Sequence, residues 1–153
     1  MDSESSFTMD ACVTLRIPRL YVHLAAIRAA VLHTCKRAGL ADDKAAQLEM
    51  AVDEACSNII EHSGGGENSP APAQDEDGLL IKLIRFPDRI VVEIFDRGAG
   101  FDFDASPAVS PADYLDERRQ RGLGLFIIRC FVDSVAYDRA TPDGNRMRLT
   151  KLV

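Results

Sequence analysis

Leu48-Glu49-Met50-Ala51-Val52-Asp53-Glu54-Ala55-Cys56-Ser57-Asn58-Ile59-Ile60-Glu61-His62 reads as a helix with two faces. Leu48, Val52, Ala55, Cys56 and Ile59 fall at helical spacing on one side and form an apolar stripe suited to a core. Glu54, Asn58 and Glu61 fall on another side, successive members about one turn apart. Alone, such a polar set is what a solvated helix face carries. Two glycine-bearing segments downstream change the reading. Asp96-Arg97-Gly98-Ala99-Gly100-Phe101 places an acid and two glycines after a strand, and Arg121-Gly122-Leu123-Gly124-Leu125 opens a second apolar helix. The acid can accept a hydrogen bond from an adenine amino group, and the helical amide can ligate a cation. The glycines let backbone N–H groups approach phosphates, and a helix start favours anions. In this order the three segments describe a nucleotide pocket.

Outward from that helix, the rest of the chain supplies a sheet and two more helices. Residues 1–10 are polar and expected to fray. Ala11–Ile17 alternates Cys12, Thr14 and Arg16 against Val13, Leu15 and Ile17, the pattern of a half-buried strand ended by Pro18. Leu20–Ala38 has helical spacing with Gly39 as its C-terminal cap, and Asp42 is expected to cap the helix that runs to His62. Residues 63–78, with Gly64-Gly65-Gly66, two prolines and Asp75-Glu76-Asp77, read as a flexible surface loop. Leu79–Phe86 and Ile90–Phe95 form a hairpin around Pro87-Asp88. Residues 101–121 are polar and proline-punctuated, with no apolar face: a lid or plain disorder on composition alone. Gly122–Val132 is a helix with Leu125, Ile128 and Val132 inward, and Ser134–Asp138 and Asn145–Lys151 are closing strands. The order βααββ–lid–αββ implies one α+β domain, a two-layer sandwich with helices on one face of the sheet.

Composition narrows the function classes. The 153 residues fit a single domain, and 46% hydrophobic with 27% charged residues is ordinary for a soluble globular protein. A net charge of −6 argues against a nucleic-acid partner, while leaving a basic protein partner open. Met1–Met9 has neither the cationic start nor the apolar run of a signal peptide, and no segment is long enough to span a membrane, so the expected location is cytoplasmic. The four cysteines, Cys12, Cys35, Cys56 and Cys130, form no CxxC pair and sit in apolar stretches. They are expected to be buried and reduced rather than metal-binding or redox-active.

With these segments in place, the chain resembles the GHKL (Bergerat-fold) ATPases, a superfamily that includes gyrase, heat-shock chaperones, histidine kinases and MutL. Within it, the chain resembles the small anti-sigma-factor serine kinases of the RsbW type. The helix matches their "AVxEAxxNxxxH" pattern at Ala51 through His62, and Gly144-Asn145-Arg146-Met147-Arg148-Leu149-Thr150-Lys151 is similar to their closing "GTTxRLTK" strand. The resemblance covers about Cys12 to Leu152. It implies a Bergerat-type sandwich with a mixed, mostly antiparallel sheet and a long ATP lid at residues 101–121.

It also implies roles. Asn58 would ligate Mg²⁺ bridging the ATP phosphates, and Glu54 would be the general base for a substrate serine. Asp96 would bind the adenine amino group. Gly98 and Gly100 would shape the adenine pocket, and Gly122, Leu123 and Gly124 would approach the phosphates. An arginine that contacts the terminal phosphate in some relatives falls at Gln120 here. Arg119 or Arg121 could serve instead, although Arg118-Arg119-Gln120-Arg121 also reads as a solvated charge run. The Thr-Thr that relatives place near the adenine is Asn145-Arg146, which puts polar contacts on that side in question. His62 reads as a structural residue at the helix end.

The implied function is an ATP-dependent serine/threonine-protein kinase that switches between a sigma factor and an anti-sigma-factor antagonist with a STAS-type domain. Relatives pair as dimers through their sheets, so a homodimer is an expectation as well. The competing reading is a nucleotide-gated binding module without kinase activity, for which Glu54 would have no use.

Overall fold

The computed structural model describes residues 8–62, 78–98 and 120–153; the side chains of residues 62, 120–123 and 140 lie outside that description. A 3-10 turn at Tyr21–His23 leads into helix α1 (Leu24–Ala38). Ile27, Val31 and Cys35, one turn apart, are its buried face. Gly39 ends the helix in the left-handed region at φ 75°, and Leu40 N–H reaches back to the Cys35 carbonyl at 3.0 Å. Helix α2 spans Asp42–His62. Its first turn accepts at the Ala41 carbonyl from Ala45 N–H (2.9 Å), so Asp42 lies inside the first turn beside Asp43 rather than capping it. Both carboxylates there complement the positive end of the helix. The whole expected stripe of α2 is buried, and Ala51 and Ile60 widen it. Helix α3 (Gln120–Phe131) buries Leu125 and Ile128, with Val132 just past its end.

Five strands complete the chain: β1 (Ala11–Ile17), β2 (Leu79–Arg85), β3 (Arg89–Asp96), β4 (Ser134–Thr141) and β5 (Gly144–Leu152). They form one sheet in the order β1-β2-β3-β5-β4, and every pairing is antiparallel. The β2–β3 hairpin closes around Pro87-Asp88, where Phe86 N–H donates to Arg89 O at 2.9 Å. Register aligns Ile81 with Ile94 and Met147, and Leu83 with Val92 and Leu149. All six are buried, so this face of the sheet meets the helices and encloses the core. The alternate residues, including Lys82, Glu93 and Arg148, line the other face. The α+β two-layer architecture is thus as read from the sequence.

Two further expectations are corrected. β1 is an edge strand, so only Ile17 of it is buried and Val13 is 40% exposed. Cys12 and Cys130 are exposed, whereas Cys35 and Cys56 are buried. Cys12 lies on the outer face of that edge strand, and Cys130 lies on the outward side of α3; apolar sequence neighbours do not determine which way a side chain points. Burial pushes the Cys35 thiol up to about 11, with the charge of Glu49 adding to the effect, so it stays protonated and inert at neutral pH.

A buried cation fixes the last helix. Lys151 Nζ donates to Gln47 Oε1 at 2.8 Å and to the Phe131 carbonyl at 2.7 Å. It therefore ties the C-terminal end of α3 to α2 and β5. Among the described residues, no helix is long and apolar enough to cross a membrane.

Candidate functional site

The polar face of α2 meets α3 at one point. A Cβ placed on Gly124 would lie 2.8 Å from Asn58 Nδ2, 3.2 Å from Asn58 Oδ1 and 3.2 Å from Glu54 Oε2. Any side chain there would crowd both heads, because the helix backbone passes directly over them. Glu54 and Asn58 therefore do not face open solvent, as a detached polar face would. Asn58 is buried and Glu54 half-buried, in the seam between α2 and α3. Neither side chain hydrogen-bonds or ion-pairs with another described residue. The Asn58 amide atoms are not among the buried unpartnered atoms, so they keep enough exposure to exchange water for a ligand. Burial also raises the Glu54 carboxyl above the usual glutamate range, with the charges of Asp53 and Glu61 adding to the effect. Asp53 itself turns toward α1, where its Oδ1 accepts from Arg28 Nη1 at 2.8 Å.

The second part of the site lies at the end of β3. Asp96 is 4% exposed and Asn145, its partner on β5, is 5% exposed. Alternation places both on the helix side of the sheet, beyond Ile94 and Met147. The Asp96 carboxylate accepts from Gly98 N–H at 3.0 Å, which shapes a tight turn after the strand. A carboxylate has capacity for further donors beyond this one. Asn145 Nδ2 donates to the Gly98 carbonyl at 2.9 Å and holds the same turn from the other side. Gly144, at φ 105°, packs so closely that a Cβ would run into the Asp96 carbonyl oxygen. The sequence left the polar contacts at Asn145 in question. Its signal was the strand register, which pairs it with Asp96.

Asn58, Glu54 and Gly124 are thus brought together, and Asp96 and Gly98 form a separate buttressed turn. Gly122 and Leu123 lie in the first turn of α3, but their surroundings and the Arg121 side chain are outside the description. Gly100, Arg119, the 101–121 lid up to residue 119 and most of the 63–78 loop fall outside the described residues. Among the described residues no cluster of three or more His, Cys, Asp or Glu could cage a metal. Magnesium is commonly held by one or two protein oxygens together with phosphates and waters. The unspent Asn58 amide is a suitable donor, so these residues fit both a magnesium ion and an adenine nucleotide.

The profile of the histidine kinase-like ATPase domain matches residues 17–151. The chain belongs to that family. Among curated relatives of this ATPase-domain protein is the serine-protein kinase RsbW of Bacillus pumilus (strain SAFR-032), 27% identical over 129 residues, covering 80% of this chain and 75% of the relative. Its counterpart in Bacillus subtilis (strain 168) is 28% identical over 128 residues, with the same coverage. Among solved structures, the SiaB–SiaC complex from Pseudomonas aeruginosa contains a chain that superposes with a TM-score of 0.57 at 17% identity, covering 95% of this ATPase-domain chain and 91% of the other. That likeness supports the same fold.

Proposed function

We propose that the chain is an ATP-dependent protein serine kinase acting by partner switching. It holds a sigma factor inactive and phosphorylates a serine of a small STAS-type antagonist. The observation that carries the kinase reading is the unspent Glu54–Asn58 pair under Gly124. A binding module needs a cation ligand, but it has no use for a half-buried carboxylate of raised pKa beside it. The partner-switching reading is supported by the RsbW relatives and, for the fold, by a structure solved as a two-protein complex.

In this reading the substrate serine oxygen bonds to the terminal phosphorus of ATP, the bond to the ADP oxygen breaks, and Glu54 takes the hydroxyl proton. A bound magnesium ion, held by Asn58, would neutralise developing charge on the phosphate oxygens. Asp96 orients the adenine by accepting from its amino group, and Asn145 keeps the Asp96–Gly98 turn in place for that contact. Raising the Glu54 pKa strengthens it as a base once it is ionised.

The test is to capture partners from the native cells on the tagged protein, then add Mg-ATP and map phosphorylation. The proposal expects phosphate on one serine of a captured small protein and release of that protein. If captured partners respond to ATP but acquire no phosphate, the nucleotide-gated binding module replaces the kinase.

A further inference from the structure

The edge position of β1 opens a wedge on the helix side of the sheet. Ala11, Val13, Leu15 and Ile17 share that side. Ile17 is buried and Leu15 packs against the core, but Val13 and Ala11 are exposed. The helices therefore cover the second half of β1 and leave its first half uncovered. Register sets Val13 beside the buried Leu83 and Ala11 beside Arg85. Across the gap stand His33, Thr34 and Arg37, from the last turns of α1. Together these residues border a cavity of about 140 Å³. Val13 and Leu83 give it an apolar wall, and none of its bordering residues is acidic. Arg85 is already engaged: its Nη1 donates to the Arg37 carbonyl at 3.0 Å, and its Nε lies 4.0 Å from Asp10 Oδ2. The side chains of His33 and Arg37 are exposed and pair with no other described residue. Lys36, exposed beside Arg37 in the last turn of α1, adds a further positive charge.

We propose that this wedge is a docking site for an extended acidic segment of a protein partner. One apolar side chain of the segment enters the cavity against Val13 and Leu83, and a neighbouring carboxylate accepts from Arg37 and His33. β1 has β2 as its neighbour on one side, so a segment laid along its free edge can also use the backbone groups that a sheet edge leaves unmatched. The cavity is smaller than the roughly 300–1,000 Å³ of small-molecule pockets, so it suits a protruding side chain rather than a free metabolite. Nucleic acids and anionic membranes draw affinity from many neutralised phosphates, and they meet the repulsion of a chain of net charge −6. Because the wedge opens on the helix side, pairing of two copies through the opposite face of the sheet leaves it accessible. It also lies away from the nucleotide turn: Arg85 pairs with Ile90 at the start of β3, whereas Asp96 ends that strand. A partner held there leaves the nucleotide pocket free, whether or not the chain transfers phosphate.

The test is fluorescence anisotropy with a labelled peptide, Gly-Glu-Glu-Leu-Glu-Gly, alongside its Gln counterpart and ¹⁵N amide shifts on the full chain. The acidic peptide should bind in a salt-sensitive way and shift amides at Val13, Thr34, Arg37 and Leu83. Arg37→Gln, an exposed change that keeps the carbonyl used by Arg85, should weaken binding by about two- to fivefold, the range of an exposed charge pair. His33→Glu with Arg37→Glu should abolish binding while circular dichroism stays unchanged. Equal binding of the neutral peptide, shifts confined to another surface, or indifference to Arg37→Gln would overturn the proposal. A peptide displaced by Mg-ATP would belong to the nucleotide pocket and would overturn it as well. So would tighter binding of an oligonucleotide or of phosphatidylserine vesicles that the same substitutions remove. If deleting residues 1–7 shifts these amides while the peptide does not, the chain's own N-terminal segment is the occupant and the partner reading falls. Burial of the wedge in a homodimer that the charge reversal dissolves would overturn it too.

Discussion

Gly124→Ala puts one methyl group where α3 crosses Glu54 and Asn58. That methyl carbon would start 2.8 Å from Asn58 Nδ2 and 3.2 Å from Glu54 Oε2. Ordinary contact requires the amide to retreat by more than half an ångström, and Asn58 is buried with little room to do so. Two stability effects oppose each other. Alanine favours the helix over glycine by about 1 kcal/mol. Overpacking a well-filled seam costs about 1–3 kcal/mol. The fold should therefore be between unchanged and roughly 2 kcal/mol less stable. Function should suffer more, because a catalytic group moved by about 1 Å can cost on the order of 10²-fold in rate. Urea unfolding, calorimetric Mg-ATP titration and a phosphotransfer assay on the same preparation separate the two effects. A folded Gly124→Ala protein should bind Mg-ATP at least about tenfold more weakly, a loss of ~1.4 kcal/mol. If it binds and transfers phosphate like the parent, the Glu54–Asn58–Gly124 seam is not the phosphate end of the site.

Asn58→Ala removes the unspent amide of the seam and should abolish magnesium-dependent ATP binding; titration in the presence of magnesium and of EDTA reads this, and retained magnesium dependence would move the cation elsewhere. Asn145→Ala leaves the half-exposed Gly98 carbonyl without this donor, and an ordinary hydrogen bond contributes about 0.5–1.5 kcal/mol, so ATP affinity should fall by roughly two- to tenfold on that scale; unchanged affinity would show that the Asp96 turn holds itself. Asp53→Asn removes one of the charges that raise the Glu54 pKa, so the acid limb of the phosphotransfer pH profile should move to lower pH, while burial keeps it above that of an ordinary glutamate. Losing the half-exposed pair with Arg28 should cost about 1 kcal/mol or less, and an acid limb that stays put would detach it from Glu54.

The 3.6-residue period of α2 made its buried stripe readable, and the alternation in β2, β3 and β5 made the core face readable. Neighbour relations were harder to read. Alternation reports which face a residue occupies but not which strand lies beside it, so β5 inserted between β3 and β4 became visible only in the sheet. β1 shows the same gap: its pattern resembles that of an inner strand, yet edge position leaves Val13 exposed. At the site, the spacing of Glu54 and Asn58 was legible, whereas their burial was not, because the cover is Gly124, about 70 residues away along the chain. Asn145 was left in question for a related reason. A substitution judged against a motif looks like a loss, but in three dimensions its amide grips the Gly98 carbonyl.

The central claim is that Glu54 takes a proton during phosphate transfer, and Glu54→Gln tests it most directly. The change keeps the side chain's size and removes its charge. Because the folded-state pKa of Glu54 is raised, its contribution to stability is full below the ordinary glutamate pKa and is lost as pH rises through the raised value. The glutamine variant should therefore be at least as stable as the parent at neutral pH, and ATP should bind as well or slightly tighter with one negative charge gone. Single-turnover transfer from ATP to the antagonist serine should fall by about 10²–10⁴-fold, the usual contribution of a positioned base. A stable, ATP-binding Glu54→Gln protein that transfers phosphate at the parent rate would contradict the account.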